Sequence, residues 1–160
     1  WWSMMSNGLS PGKPEFRPRD GAPHDASHRG PRIKPVNIAL RAIVLVCGVL
    51  FIVTGLRWLL APVGVAPEFG LVLSSGVGLS SQIGDMSAFF LTLGVCILMG
   101  LITQRAIWYY PPIILLSLTA VGRLLAWLLH DAALAMNLIA PEVIVALILL
   151  IASRRLPAPG

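Results

Sequence analysis

The sequence predicts an all-α integral membrane protein, a four-helix bundle preceded by a disordered basic N-terminal tail. Hydrophobic residues make up 56% of the 160-residue chain and charged residues only 12%, and the mean hydropathy is +0.81, outside the usual range of soluble domains. Four apolar runs are long enough to cross a bilayer. Lys and Arg gather at alternate ends of those runs, as a multi-pass topology requires.

Residues 1–35 hold six prolines and four glycines without a hydrophobic period, too little apolar surface to offset the entropy of ordering, so they read as a disordered cytoplasmic tail. Lys13, Arg17, Arg19, Arg29, Arg32 and Lys34 outweigh Glu15, Asp20 and Asp25 by three, while the rest of the chain adds only two to the net charge of +5. Such a balance would suit a nucleic-acid binder if it were spread over an aromatic-studded surface. Concentrated just ahead of an apolar run, it reads instead as a topology signal and an attraction to anionic lipid. The lipid bilayer is therefore the predicted partner, and nucleic acid is not. His24 and His28 have helical metal-ligand spacing, but the Gly, Pro and Asp around them argue against a helix, and they read as solvated tail residues.

Residues 36–155 form the predicted membrane domain, with 156–160 as a short C-terminal tail. The first span, 39–60, has 22 residues, about 33 Å of helix. It reads as an uncleaved anchor, because the charged region ahead of it is far longer than a signal peptide's and the small residue Ala66 is followed at once by Pro67. Residues 61–84, with Pro62, Pro67 and five glycines, read as a loop. Its stretch Leu71 to Ile83 is predicted to connect, with a lid dipping into the outer interface as the alternative. The second span is 86–103. Trp108, Tyr109 and Tyr110 suggest an interfacial aromatic belt, and Pro111 with Pro112 suits the first turn of the third span, 111–129. A tight turn at His130 and Asp131 leads to the fourth, 133–152, closed by Arg154 and Arg155. Arg105 lies between spans two and three, and the other two loops carry no Lys or Arg. Both termini are thus predicted cytoplasmic, in a bacterial inner membrane.

Glycines at 48 and 55, and at 94 and 100, permit close helix packing without forming a strict small-residue seam. Cys47 and Cys96 lie in apolar runs with no His or Cys at ligand spacing, so they read as packing residues and no metal or other cofactor is implied.

Arg41 and Arg105 lie near the cytoplasmic face, and the other ionisable groups in the spans or at their ends are few: Arg57, Asp85, Arg123, His130, Asp131 and Glu142. Burying one in hydrocarbon costs roughly 2.5 kcal/mol or more, so each should face the bundle interior and find a partner. In the predicted topology all six fall in the outer half of the membrane. Thr119, Arg123, Trp127 and His130 share one helical face, as do Asp85, Phe89, Thr92 and Cys96, and both faces should point inward. Pro141 cannot donate to the Asn137 carbonyl, which predicts either a kinked fourth span or two half-helices. The foremost reading of these residues is structural: Arg123 pairs with Glu142 or Asp85, and Arg57 with another acid, fixing helix register. Next come a pocket whose polar end is this cluster, and then a proton or ion path.

The order of features D-M-S-A-F-F at 85–90, G-R at 122–123, H-D at 130–131 and P-E at 141–142 resembles a family of small bacterial four-helix membrane proteins known as a domain of unknown function. The likeness spans roughly residues 38–153. In that family an acidic residue precedes a basic-Ala pair and an aromatic, whereas here Ser87 stands where a basic residue is common. The resemblance implies the fold and a bacterial membrane location, and brings no activity or cofactor with it.

The function predicted is that of a non-enzymatic membrane protein whose outer-leaflet polar cluster binds a lipid-like small molecule. The alternatives are an intramembrane enzyme using Glu142 or Asp85 with His130, and a small transporter or accessory subunit of a membrane complex. A homo-oligomer or complex partner is left open.

Overall fold

The computed structural model describes residues 35–157. Residues 1–34 and 158–160, and with them the expectations of a disordered tail and of solvated His24 and His28, lie outside that range.

Among the described residues five α-helices follow one another: α1 (Pro35–Leu60), the single turn α2 (Pro62–Val65), α3 (Gly76–Thr103), α4 (Tyr110–His130) and α5 (Met136–Arg155). Two 3-10 turns, Ala66–Phe69 and Ala106–Tyr109, precede α3 and α4. Four helical segments are long and apolar enough to span a membrane, so the protein is a multi-pass all-α membrane protein. Its outward faces agree: Val95 and Leu118, in the middle of their spans, are 49% and 62% exposed, a surface suited to lipid.

Neighbouring spans run antiparallel, and α1 packs along α3 while α4 packs along α5. One end of the bundle therefore carries Pro35, Thr103, Ala106 and Arg155 and is called the tail end; the other is the loop end.

Glycines let α1 and α3 approach closely. A Cβ on Gly94 would stand 2.8 Å from the Gly48 carbonyl oxygen, and one on Gly55 would stand 2.9 Å from the Leu91 backbone nitrogen. Two backbones in direct contact gain dispersion energy that lipid cannot supply. Between the two hairpins the packing is sparser and concentrated at the tail end, where the 3-10 turn Ala106–Tyr109 contacts both α3 and α5. Tyr109 is fully buried there, and its ring occupies the space a Cβ on Gly100 would need. It is thus a wedge between the hairpins rather than part of an aromatic belt, while Tyr110 stays 47% exposed.

The structure shifts several expected boundaries: α1 begins at Pro35, four residues before the predicted 39, α5 runs on to Arg155, three past the predicted 152, and two helix starts move further into or out of the loops. α3 begins at Gly76, ten residues before the predicted 86, so Asp85 lies within the helix. The early turns are held by Gln82, whose side-chain oxygen accepts from the Ser74 backbone N–H at 3.1 Å and whose amide donates to the Val72 carbonyl at 3.3 Å. Glycine content alone suggests a loop there. At 28 residues, or about 42 Å, α3 outreaches a hydrocarbon core of about 30 Å, and its polar first turns (Ser80, Ser81, Gln82) overhang the loop end.

α5 starts at Met136, three residues later than predicted, because Asp131 closes α4 in the left-handed region with φ 53°. The Asp131 and Ala132 N–H groups both turn back to the Ala126 carbonyl, a helix-ending geometry that Gly adopts freely, Asp tolerates and β-branched residues resist. Asp131→Gly is accordingly expected to leave thermal stability unchanged or a few tenths of a kcal/mol higher, and Asp131→Val to lower it by about 1–2 kcal/mol. A loss with glycine as large as with valine would assign the carboxylate a role of its own. Finally, α5 runs through Pro141 as one helix, so the two-half-helix alternative does not apply.

Candidate functional site

Where the hairpins part, between mid-bundle and the loop end, they form a half-open cavity of about 480 Å³. Its walls come from all four spans. Cys47, Phe51 and Thr54 belong to α1, Met86, Phe89 and Phe90 to α3, Leu116, Thr119 and Arg123 to α4, and Leu138, Glu142 and Val145 to α5. Phe69 and Leu71, from the segment between α2 and α3, line it as well. The aromatic part of the wall is continuous, because Phe90 lies 6.1 Å from Phe51, 5.1 Å from Phe69 and 5.2 Å from Phe89 between ring centroids.

Polar groups on these walls are few. The Thr54 and Thr119 hydroxyls donate to carbonyls one turn back, Leu50 at 2.9 Å and Leu115 at 2.7 Å, which suits them to an apolar surface. The remaining polar feature is an ion pair. Arg123 Nε donates to Glu142 Oε1 at 3.0 Å, with the two side chains 30% and 14% exposed. The second carboxylate oxygen, Oε2, is buried and has no hydrogen-bond partner among the described residues. Trp58 Nε1 and Tyr109 Oη share that condition, but neither residue lines the cavity. A buried acceptor with no donor costs on the order of 1–3 kcal/mol, so Oε2 is the place on these walls where a guest could gain a new hydrogen bond.

Of the six ionisable residues singled out in the sequence, the structure brings Arg123 and Glu142 together and separates the rest. Arg57 pairs with Glu68, its Nη1 and Nη2 donating to the two carboxylate oxygens at 3.0 and 2.5 Å. Sequence reasoning does not single out Glu68, although it is the first acid after Arg57 in the chain and sits in the Pro-bounded 3-10 turn that folds back over the helix end. Asp85, His130 and Asp131 are exposed, with no side-chain hydrogen bond or ion pair among the described residues. The overhang of α3 and the cap of α4 place them in the polar surface of the loop end. The two faces expected to point inward do so only in part. Thr119 and Arg123 line the cavity while Trp127 and His130 are exposed, and Phe89 and Cys96 are inward while Thr92 is not. Ser87 is buried and donates to the Gly84 carbonyl at 3.2 Å, so it is satisfied within its own helix.

The Arg57–Glu68 pair clips down the segment that carries Phe69 and Leu71. Beyond it, Gly70 and Gly76 take positive φ values of 67° and 56° at either end of the strap Leu71–Ser75. The guanidinium holds the Glu68 carboxyl below its ordinary pKa through a hydrogen bond and through charge. A depressed carboxylate stabilises the folded state above its unfolded pKa of about 4.3 and loses that contribution as pH falls through the lower folded value. The clip should therefore stay closed at neutral pH and open only in acid, below the ordinary carboxylate range. Glu68→Gln is expected to speed hydrogen exchange in residues 69–75 at neutral pH with little change in melting temperature, since exposed pairs contribute little globally. Unchanged exchange there would mean that packing of Phe69, not the ion pair, holds the strap.

No group of three His, Cys, Asp or Glu side chains placed to hold a metal occurs among the described residues. No family model, no curated protein and no solved structure matches the chain, so the chemistry of the cavity is read from its own walls.

Proposed function

We propose that this protein binds one apolar, lipid-like molecule in the cavity between its two hairpins, with the Arg123–Glu142 pair as the polar end of the site, and that it does so as a non-enzymatic protein of a bacterial inner membrane. The observation that carries this reading is a cavity of about 480 Å³, walled by Phe, Leu and Met, whose buried carboxylate oxygen lacks a partner among the described residues. Its volume falls in the range of small-molecule sites, and such sites combine apolar walls with a few convergent polar groups. An orientation with both termini cytoplasmic is supported by the charges. Arg41, Arg105, Arg154 and Arg155 all belong to the tail end, whereas the two arginines toward the loop end, Arg57 and Arg123, are each neutralised by a glutamate. By the positive-inside rule the tail end is cytoplasmic, and the cavity then lies in the outer half of the bilayer.

An enzymatic reading would combine Glu142 or Asp85 with His130. Asp85 and His130 are exposed and do not line the cavity, so its walls support the binding reading more than this one.

Thr119 offers a means of filling the site, since it lies on the cavity wall and is only partly buried. After purification in a mild detergent, organic extraction and mass spectrometry are expected to recover one apolar species in roughly stoichiometric amount from the wild type, and to find it depleted from a correctly folded Thr119→Trp variant. The same lipid profile from both proteins would refute the proposal.

A further inference from the structure

We infer that the head group taken at this site is uncharged and donates a hydrogen bond, as the hydroxyl of a long-chain alcohol or glyceride does; this rests on the cavity being a ligand site as proposed above. The charge and hydrogen-bond balance of the polar end leads there. Arg123 and Glu142 face one another at 3.0 Å and cancel, leaving the site electrically neutral. No other Asp, Glu, Lys, Arg or His among the described residues lines the cavity, whose further wall residues are apolar apart from Thr54, Thr119 and the thiol of Cys47.

A phosphate, sulfate or carboxylate head would bring a net negative charge against largely apolar walls and set it beside a carboxylate that has no donor to spare. The terminal nitrogens of Arg123 could donate to such a head, but one guanidinium would then stand against two negative charges in an apolar wall, a net charge the site has no second cation to neutralise. A quaternary ammonium would bring the opposite charge beside Arg123 and has no N–H to offer. Neither supplies what the geometry asks for, a donor to the lone pair on Glu142 Oε2. The threonine hydroxyls do not supply it either, because both donate to their own helix backbone.

A hydroxyl meets each requirement. Its proton goes to Oε2, and its oxygen can accept from the terminal guanidinium nitrogens of Arg123, which make no hydrogen bond among the described residues. Its desolvation cost is far below that of an ion. The protein would then discriminate by head group, excluding the anionic phospholipids that dominate electrostatic contacts elsewhere on membrane proteins.

Four probes with one hexadecyl chain separate the cases: hexadecanol, its methyl ether, hexadecyl sulfate and hexadecyltrimethylammonium. They are titrated into the full-length protein in nanodiscs, with bound species counted by native mass spectrometry. Hexadecanol is expected to bind about tenfold more tightly than any of the other three, the methyl ether losing only the donated proton. In Glu142→Gln that preference over the ether should shrink to about threefold or less, since a hydrogen bond to a neutral amide is weaker than one to a carboxylate. Sulfate, ether or trimethylammonium binding as well as the alcohol in the wild type would overturn the head-group inference while leaving the cavity a ligand site. Binding by none of the four, or equal binding by all four that Thr119→Trp does not reduce, would overturn the ligand site itself. The wild-type series decides the matter even if Glu142→Gln does not fold.

Discussion

Arg123→Ala should lower the stability of the detergent-solubilised protein by about 3 kcal/mol and reduce its yield in membranes, the largest effect expected of any side-chain truncation outside the tightly packed helix seam. Its cause is the partner left behind. Glu142 is 14% exposed and already has one oxygen without a donor among the described residues; removing the guanidinium leaves the whole carboxylate uncompensated in an apolar wall, the situation in which breaking a buried pair is most costly. Removing both charges takes away the penalty along with the attraction. Arg123→Ala with Glu142→Leu should therefore recover part of the loss, with a coupling of about 1–3 kcal/mol between the two sites. Thermal melts of the four proteins of this cycle in one detergent measure it. Strictly additive losses would show that the two residues act independently, and the polar end of the cavity would lose its definition.

A second large effect is expected where α1 meets α3. Adding one methyl group at Gly94 places it 2.8 Å from the Gly48 carbonyl oxygen and 2.7 Å from Ile52 Cγ1. At Gly55 the new carbon lies 2.9 Å from the Leu91 backbone nitrogen. Backbone atoms cannot move aside as a flexible side-chain tip can, so the helices must separate along their contact. Gly94→Ala and Gly55→Ala should each cost about 1–3 kcal/mol, and the leucine variants more. A methyl group added at Gly122 in α4 would meet nothing within 4 Å, and there the same change should stabilise by about 0.5–1 kcal/mol through helix propensity. Opposite signs for one chemical change at three helical glycines, read as melting temperatures, would tie the cost to the helix contact; a uniform shift would deny the contact any special role.

How far this architecture can be read from the chain depends on the kind of signal. The four spans are legible because hydrocarbon demands long apolar runs, and little else in a sequence looks like one. The start of α3 is not, because Gly76, Gly78 and Gly84 weaken the helix signal while the bonds that hold its first turns come from Gln82 to Val72 and Ser74, eight to ten residues away. The meeting of Arg123 with Glu142 is among the pairings that the rarity of charge within the spans suggests. Asp85, the other candidate partner, lies in a helix that begins earlier and reaches further than the apolar run alone implies. Tyr109 shows the same limit: aromatic residues at a span end suggest an interface belt, and only the packing of Gly100 against its ring turns it inward. The cavity itself has no sequence signature. It arises because the two hairpins close on each other at the tail end and not toward the loop end, a property of pairing between helices rather than of any one of them.

The most direct test of an occupied space between the hairpins is photolabelling in native membranes. A diazirine-bearing long-chain alcohol is activated after it equilibrates with the lipid, and its adducts are mapped by peptide mass spectrometry. Phe89, Leu116, Leu138 and Val145, which line the cavity, are expected to carry most of the label and to lose it when unlabelled hexadecanol is added in excess. Label confined to outward residues such as Val95, Leu118 and Ile144, with none on the cavity walls, would contradict the account.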